Sequence, residues 1–233
     1  MTATPIVIRF VMASPVILSD GASLDAVATF QGFARGEDGV QLLNQLFVRN
    51  GSVHCASWLF PETEYIVDRA EFVRLQRTGT ALNTRTLLPP RGQTDAFRVD
   101  NKRGIAANKR TTMTTIATPA IWAFATGDLS AIAKMLSDVS SIGIKRANGF
   151  GRVQRIDISR AEGWPGFGKL MRDGSPARAI PVDECQAVTK RGAYVLGFPR
   201  WSAAPEQCAI PTRKTVDPTI FAELVPAAEL EFS

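Results

Sequence analysis

A single histidine and three cysteines are all that this 233-residue chain offers toward a zinc centre. His54 adjoins Cys55, but Cys185 and Cys208 lie far along the chain and no Cys-x-x-Cys pair occurs. Asp and Glu are scattered without a ligand-like cluster, so neither a metal nor any other cofactor is expected. The odd number of widely spaced thiols reads as reduced. No run of about 18 apolar residues exists, which argues against a membrane span. The opening Thr2-Ala3-Thr4-Pro5 lacks the basic start and apolar run of a signal peptide, so the expected compartment is the cytoplasm. A Gly-Lys-Ser/Thr phosphate loop is missing, and the sequence gives no support for a Ser-His-Asp arrangement.

The composition that remains suits a packed domain with elaborations. Hydrophobic residues make up 45%, the formal net charge is +5 and the pI is about 9.4. A basic balance suits an anionic partner, and the placement of the charge says more than its sum. Ile6 to Leu18 alternates with β-branched types, placing Ile6, Ile8, Phe10 and Met12 on one side and Arg9 on the other, with a break near Pro15. Ser23 can cap a helix from Leu24 that ends at Gly36 to Gly39. Val53 to Phe60, Glu64 to Leu75 and Met113 to Ala125 read as strands. Leu129, Ile132, Ala133, Leu136 and Val139 form an amphipathic helix capped by Asp128, and Val153 to Ile158 is a further strand.

These elements predict an α+β fold, most simply a ferredoxin-like (RRM-like) βαββαβ core with helices on one face. The core spans 1–160 and carries a basic insertion at about 76–110. Residues 161–233 form an irregular C-terminal extension. Gly163 to Gly168 and Gly174 to Pro181 are turn-rich, and Tyr194 to Phe198 is a short apolar run. With Pro199, Pro205, Pro211, Pro218 and Pro226, the extension should drape over the sheet rather than build a core of its own.

Two segments carry candidate chemistry. Gly143, Gly149 and Gly151 stand between a helix and a strand, with Lys145, Arg146, Asn148 and Arg152 among them. Glycines permit φ > 0 and close backbone approach, and exposed amides with nearby cations suit a phosphate. An ordinary helix-to-strand turn would use glycines in the same way. A dinucleotide fingerprint is excluded by polarity, since it precedes its helix. The insertion carries Arg77, Arg85, Arg91, Arg98, Lys102, Arg103, Lys109 and Arg110 against Asp95 and Asp100, interrupted by polar residues and glycines. Such spacing suits tracking of a phosphate backbone, whereas the plainer reading is a solvated loop. His54, in Val53-His54-Cys55-Ala56, reads as a packed histidine, with a general base as the alternative. Trp122 suits core packing. Trp58, Trp164 and Trp201 could pack or stack bases.

The Gly143–Arg152 loop resembles the signature glycine loop of the RAMP superfamily of CRISPR-associated proteins. Phe10-Val11-Met12-Ala13-Ser14-Pro15-Val16 with Leu24-Asp25-Ala26-Val27, and Asp100-Asn101-Lys102-Arg103-Gly104 leading to Lys109-Arg110, look like the Cas-five-like subunit of type IV systems. The resemblance implies a non-catalytic subunit that caps the 5′ handle of the guide crRNA. It further implies contact with Cas-seven-like backbone subunits and a large subunit, with target DNA as a further candidate and no membrane partner. A protruding thumb would come from the basic insertion. The aromatic signature of RRM proteins is not evident, so RNA is not expected across the open sheet face. Two alternatives stand beside this expectation: a Cas-six-like crRNA-processing endoribonuclease, metal-independent, and a protein-only interaction module.

Overall fold

The computed structural model describes residues 3–74, 109–188, 190–196, 204–217, 219 and 224–231. The chain divides into two compact units, Met1–Val67 with Thr115–Ser233, and Asp68–Thr114. In chain order the elements are β1 (Thr4–Met12), α1 (Leu24–Ala34), α2 (Gly39–Leu46), β2 (Arg49–Asn50), β3 (Val53–His54), β4 (Phe60–Pro61), β5 (Ile66–Arg74), β6 (Lys109–Ala117) and β7 (Ala120–Gly127). There follow α3 (Leu129–Leu136), β8 (Val153–Arg160), β9 (Ile180–Pro181), β10 (Arg191–Tyr194), β11 (Glu206–Ala209) and β12 (Val225–Glu231). No helix among the described residues is long and apolar enough to cross a membrane.

An antiparallel sheet in the order β12-β8-β1-β7-β4 organises the first unit, so the fold is α+β as expected. Side chains alternate across a strand, and the register keeps like with like. Ile8 stands opposite Ala123 and Ile158, and Phe10 opposite Ile121 and Ile156. This apolar face meets Leu24 and Ala28 of α1, Leu42, Leu43 and Leu46 of α2, and Ile132, Met135 and Leu136 of α3. The period-2 pattern of β1 therefore resolves as expected, with Ile6, Ile8 and Phe10 fully buried. The strand ends at Met12 rather than at Leu18.

Several elements differ from their sequence-based expectation. The helix α2 was not foreseen. Asp38 caps it by accepting from the amides of Val40 and Gln41 at 2.8 and 3.1 Å. Ser23 occupies the N-cap of α1, yet its hydroxyl donates to the Asp25 carboxylate rather than capping the helix. The expected strand over Val53–Phe60 is two short pieces, β3 and β4. The expected strand over Met113–Ala125 is also two, β6 and β7, parted at Thr118 and Pro119. A proline cannot donate to a ladder, which is why the strand breaks there.

The opposite sheet face is covered by the C-terminal segment. Val7, Phe60, Trp122 and Phe124 pack against Phe167, Met171, Ala177 and Val216. This segment also forms elements of its own. β10, β11 and β9 form a small sheet over clusters that include Ile180, Cys185, Cys208 and Ile210. β12 joins the main sheet beside β8, with its register shifting between Pro226 and Ala228. An edge strand with an irregularity is where a sheet accepts proline.

A buried ion pair fastens this segment. The Arg178 guanidinium lies 2.7 Å from the Asp25 carboxylate, with side chains only 4% and 1% exposed. Arg178 also donates to the carbonyls of His54 and Ala56 at 2.9 and 3.1 Å. Buried charge is tolerated only when it is paired and hydrogen-bonded in this manner. Lys169 is likewise buried and reaches Glu184 at 2.7 Å and Asn50. In the other unit, β5 and β6 lie in one two-stranded sheet.

Candidate nucleic-acid interface

The segment between α3 and β8 is held at its base and open at its tip. Ile142 donates to the Gly151 carbonyl at 2.9 Å, Gly151 to Pro15 at 2.8 Å and Ile144 to Ile17 at 2.9 Å. The Arg152 amide donates to the Ser14 hydroxyl at 2.9 Å, and Ala13 donates to the Arg152 carbonyl. The chain just beyond β1 thus braces both arms of the loop. Between the arms Arg146–Asn148 make a single 3-10 turn, entered through Lys145 at φ 60° and left through Gly149 at φ 86°. The amides of Asn148 and Gly149 close that turn onto Lys145 and Arg146.

The glycines serve two purposes. A Cβ on Gly151 would stand 1.9 Å from the Ile142 carbonyl oxygen, so this position admits only glycine where two backbones cross. At Gly149 a Cβ would meet nothing within 4 Å, and only the left-handed backbone favours glycine. Gly143 lies at the braced base, at φ 81°. The amides of Ile144, Asn148, Gly149, Gly151 and Arg152 are all engaged within the protein. The amides of Arg146 and Ala147, at the opening of the turn, are not among these, so the tip presents side-chain charge together with the first amides of the turn.

Arg152 and Asn148 are exposed, and Lys145 and Arg146 are half-buried. The Arg146 guanidinium carbon sits 3.8 Å from the centroid of the Phe30 ring on α1. Among the described residues no carboxylate pairs with Arg146 or Arg152, and the nearby-numbered Asp138 pairs with Arg35. Neither Phe30 nor the Ser14 brace was legible in sequence, because both contacts join segments over a hundred residues apart.

Lys109 and Arg110 open β6 as exposed strand residues, not as part of an irregular insertion. Arg110 donates through Nε to Glu71 on β5 at 3.0 Å, so part of its charge is already compensated. Lys102 and Arg103 lie outside the described residues, as does Trp201. The structure brings Gly143, Lys145, Arg146, Asn148, Gly149, Gly151 and Arg152 together in one loop of the first unit, and places Lys109 and Arg110 in the second.

His54 donates through Nε2 to Asn44 Oδ1 at 2.9 Å. Burial lowers its pKa below the ordinary 6.5, which favours a neutral, packed imidazole. Trp122 is buried and donates to Glu62 at 2.9 Å, as core packing predicts. Trp164 donates to the Leu170 carbonyl at 2.9 Å. No group of three or more metal-ligating side chains occurs among the described residues.

These features define an α+β sheet protein with a braced, cation-bearing loop. Residues 67–165 match the family model described as CRISPR type IV associated protein Csf3. The match takes in β6, β7, α3, the loop and β8, less than half of the chain, and leaves the N-terminal segment outside. It supports a type IV CRISPR-associated protein. No curated protein matches the chain.

Proposed function

We propose that this chain is a non-catalytic subunit of a type IV CRISPR effector complex, a Cas-five-like member of the RAMP superfamily that binds the 5′ handle of the guide crRNA. The observation that carries this reading is the loop tip. Lys145, Arg146 and Arg152 surround a turn whose base is hydrogen-bonded to the protein, and Gly149 borders open space. Cations held this way suit a phosphate chain, which they neutralise with release of its counterions. The sheet order supports a ferredoxin-like core. The order β8-β1-β7-β4, with α1 after β1 and α3 after β7, is what supports this reading, in which α2, β2, β3, β5, β6 and β12 are additions.

Contact with Cas-seven-like backbone and large subunits is part of the same proposal. Tyr65, Ile66 and Val67 are exposed apolar side chains where β5 begins, the chemistry of a surface that meets other protein. Lys102 and Arg103 of the basic insertion and Lys109 and Arg110 of β6 are further RNA-contacting candidates in the proposal. The non-catalytic assignment is supported by the hydrogen bond between His54 and the Asn44 side chain, which suits a structural role.

The test is the salt dependence of crRNA binding by the purified chain. Replacing Lys145, Arg146 and Arg152 together with Ala should weaken binding. The log–log salt slope should flatten by about 2 if each contacts one phosphate. A triple variant that binds like the wild type removes the loop from the site. Incubation with precursor RNA should leave it intact; cleavage at one site, lost in His54→Ala, would replace this reading with the endoribonuclease.

A further inference from the structure

We propose that Phe30 and Arg146 form a stacking platform for one unpaired RNA base, so that the loop grips a base as well as phosphates. The inference rests on the RNA-binding reading above and names the chemistry of its contact. Phe30 lies on α1 and is 48% exposed; Phe33, one turn further on, is 47% exposed. Neither belongs to the core beneath the sheet. The Arg146 guanidinium covers the Phe30 ring at 3.8 Å, a stacking separation. A guanidinium is planar and weakly hydrated, so it can lie on an aromatic ring with one face and receive a base on the other.

The surroundings favour a nucleotide over a protein side chain as the occupant. Arg146 has no carboxylate partner among the described residues. Lys145 precedes it and Arg152 follows on the same loop, placing phosphate-binding charge beside the platform. The open space next to Gly149 leaves room for a polymer to approach. An apolar protein partner would use the phenylalanines but would gain nothing from three cations, whereas a single-stranded polynucleotide uses both. Phe30 is then a positioning residue for Arg146, and Arg146 touches the base.

The experiment uses two fluorescein-labelled probes with the full chain: octaadenylate RNA, and a ribose-phosphate octamer of equal charge without bases. Phe30→Leu keeps the apolar bulk, and Arg146→Lys keeps the charge. Phe30→Leu should weaken octaadenylate binding by about tenfold and leave the baseless octamer unchanged, and Arg146→Lys should weaken octaadenylate by a larger factor than the baseless octamer. Arg152→Ala should weaken both probes alike. If Phe30→Leu leaves octaadenylate binding unchanged, or weakens both probes equally, the platform is refuted and the patch is a protein contact or a plain surface feature. Should the wild type bind both octamers equally with steep salt dependence, the stack fails while the RNA reading stands. Should it bind neither octamer nor crRNA, both fail together.

Discussion

Arg178 and Arg146 belong to the same unit and live in opposite circumstances. Arg178 is almost wholly buried, paired with Asp25 and hydrogen-bonded to two carbonyls. Arg146 lies across an exposed ring, with no carboxylate beside it among the described residues. The first donates to Asp25 and to the carbonyls of His54, Ala56 and Ala179, and fastens the C-terminal segment to the start of α1. The second leaves its charge available. A desolvated charge must be answered by its own protein, while a solvated one can wait for a partner. The difference separates a cation that holds the molecule together from one whose charge is left at the surface.

The largest effect should come from breaking the buried member. Arg178→Ala leaves Asp25 uncompensated and should cost about 3–5 kcal/mol, measured by urea unfolding. Arg146→Ala should cost less than about 1 kcal/mol in the same measurement, because only a surface cation–π contact is lost. Equal losses would erase the distinction drawn here.

The loop's glycines sharpen the same contrast between base and tip. Gly151→Ala places a methyl on the Ile142 carbonyl and strains a left-handed residue, for a loss of about 2–5 kcal/mol. Gly149→Ala meets only the backbone strain and should cost about 1 kcal/mol. Comparable melting temperatures for the two variants would mean that the loop base is not braced as described.

The smallest effect concerns His54. Its folded pKa lies below the ordinary 6.5, so the unfolded chain binds more protons between those two values. Stability should therefore fall as pH drops through about 6.5 and level off below the lowered folded value. His54→Asn should flatten that part of the pH profile, read by unfolding at a series of pH values. A profile steeper in the variant than in the wild type would contradict the assigned shift.

Much of the fold was legible where one side-chain period runs undisturbed. The alternation of Ile6, Ile8 and Phe10 named the buried face of β1, and the spacing of Ile132 and Leu136 with Asp128 before them named α3. α2 was missed although Asp38 and the apolar Leu42, Leu43 and Leu46 were in view, because two turns of helix give too short a pattern to stand out. β12 was missed because Pro226 reads as irregular tail, and only its place at a sheet edge makes it tolerable. In the loop, the residue types marked a run of cations and glycines, but not the Ser14 and Pro15 contacts that hold its base.

By itself, the sequence determined the α+β class, the glycine-and-cation loop and the absence of a local metal motif, since each depends on residues close together in the chain. Tertiary structure alone decided which charges are answered. Asp25 meets Arg178, and Phe30 meets Arg146, only after loops of more than a hundred residues close. Spacing along a chain carries no record of such encounters, because they are selected by the packing of whole layers against the sheet.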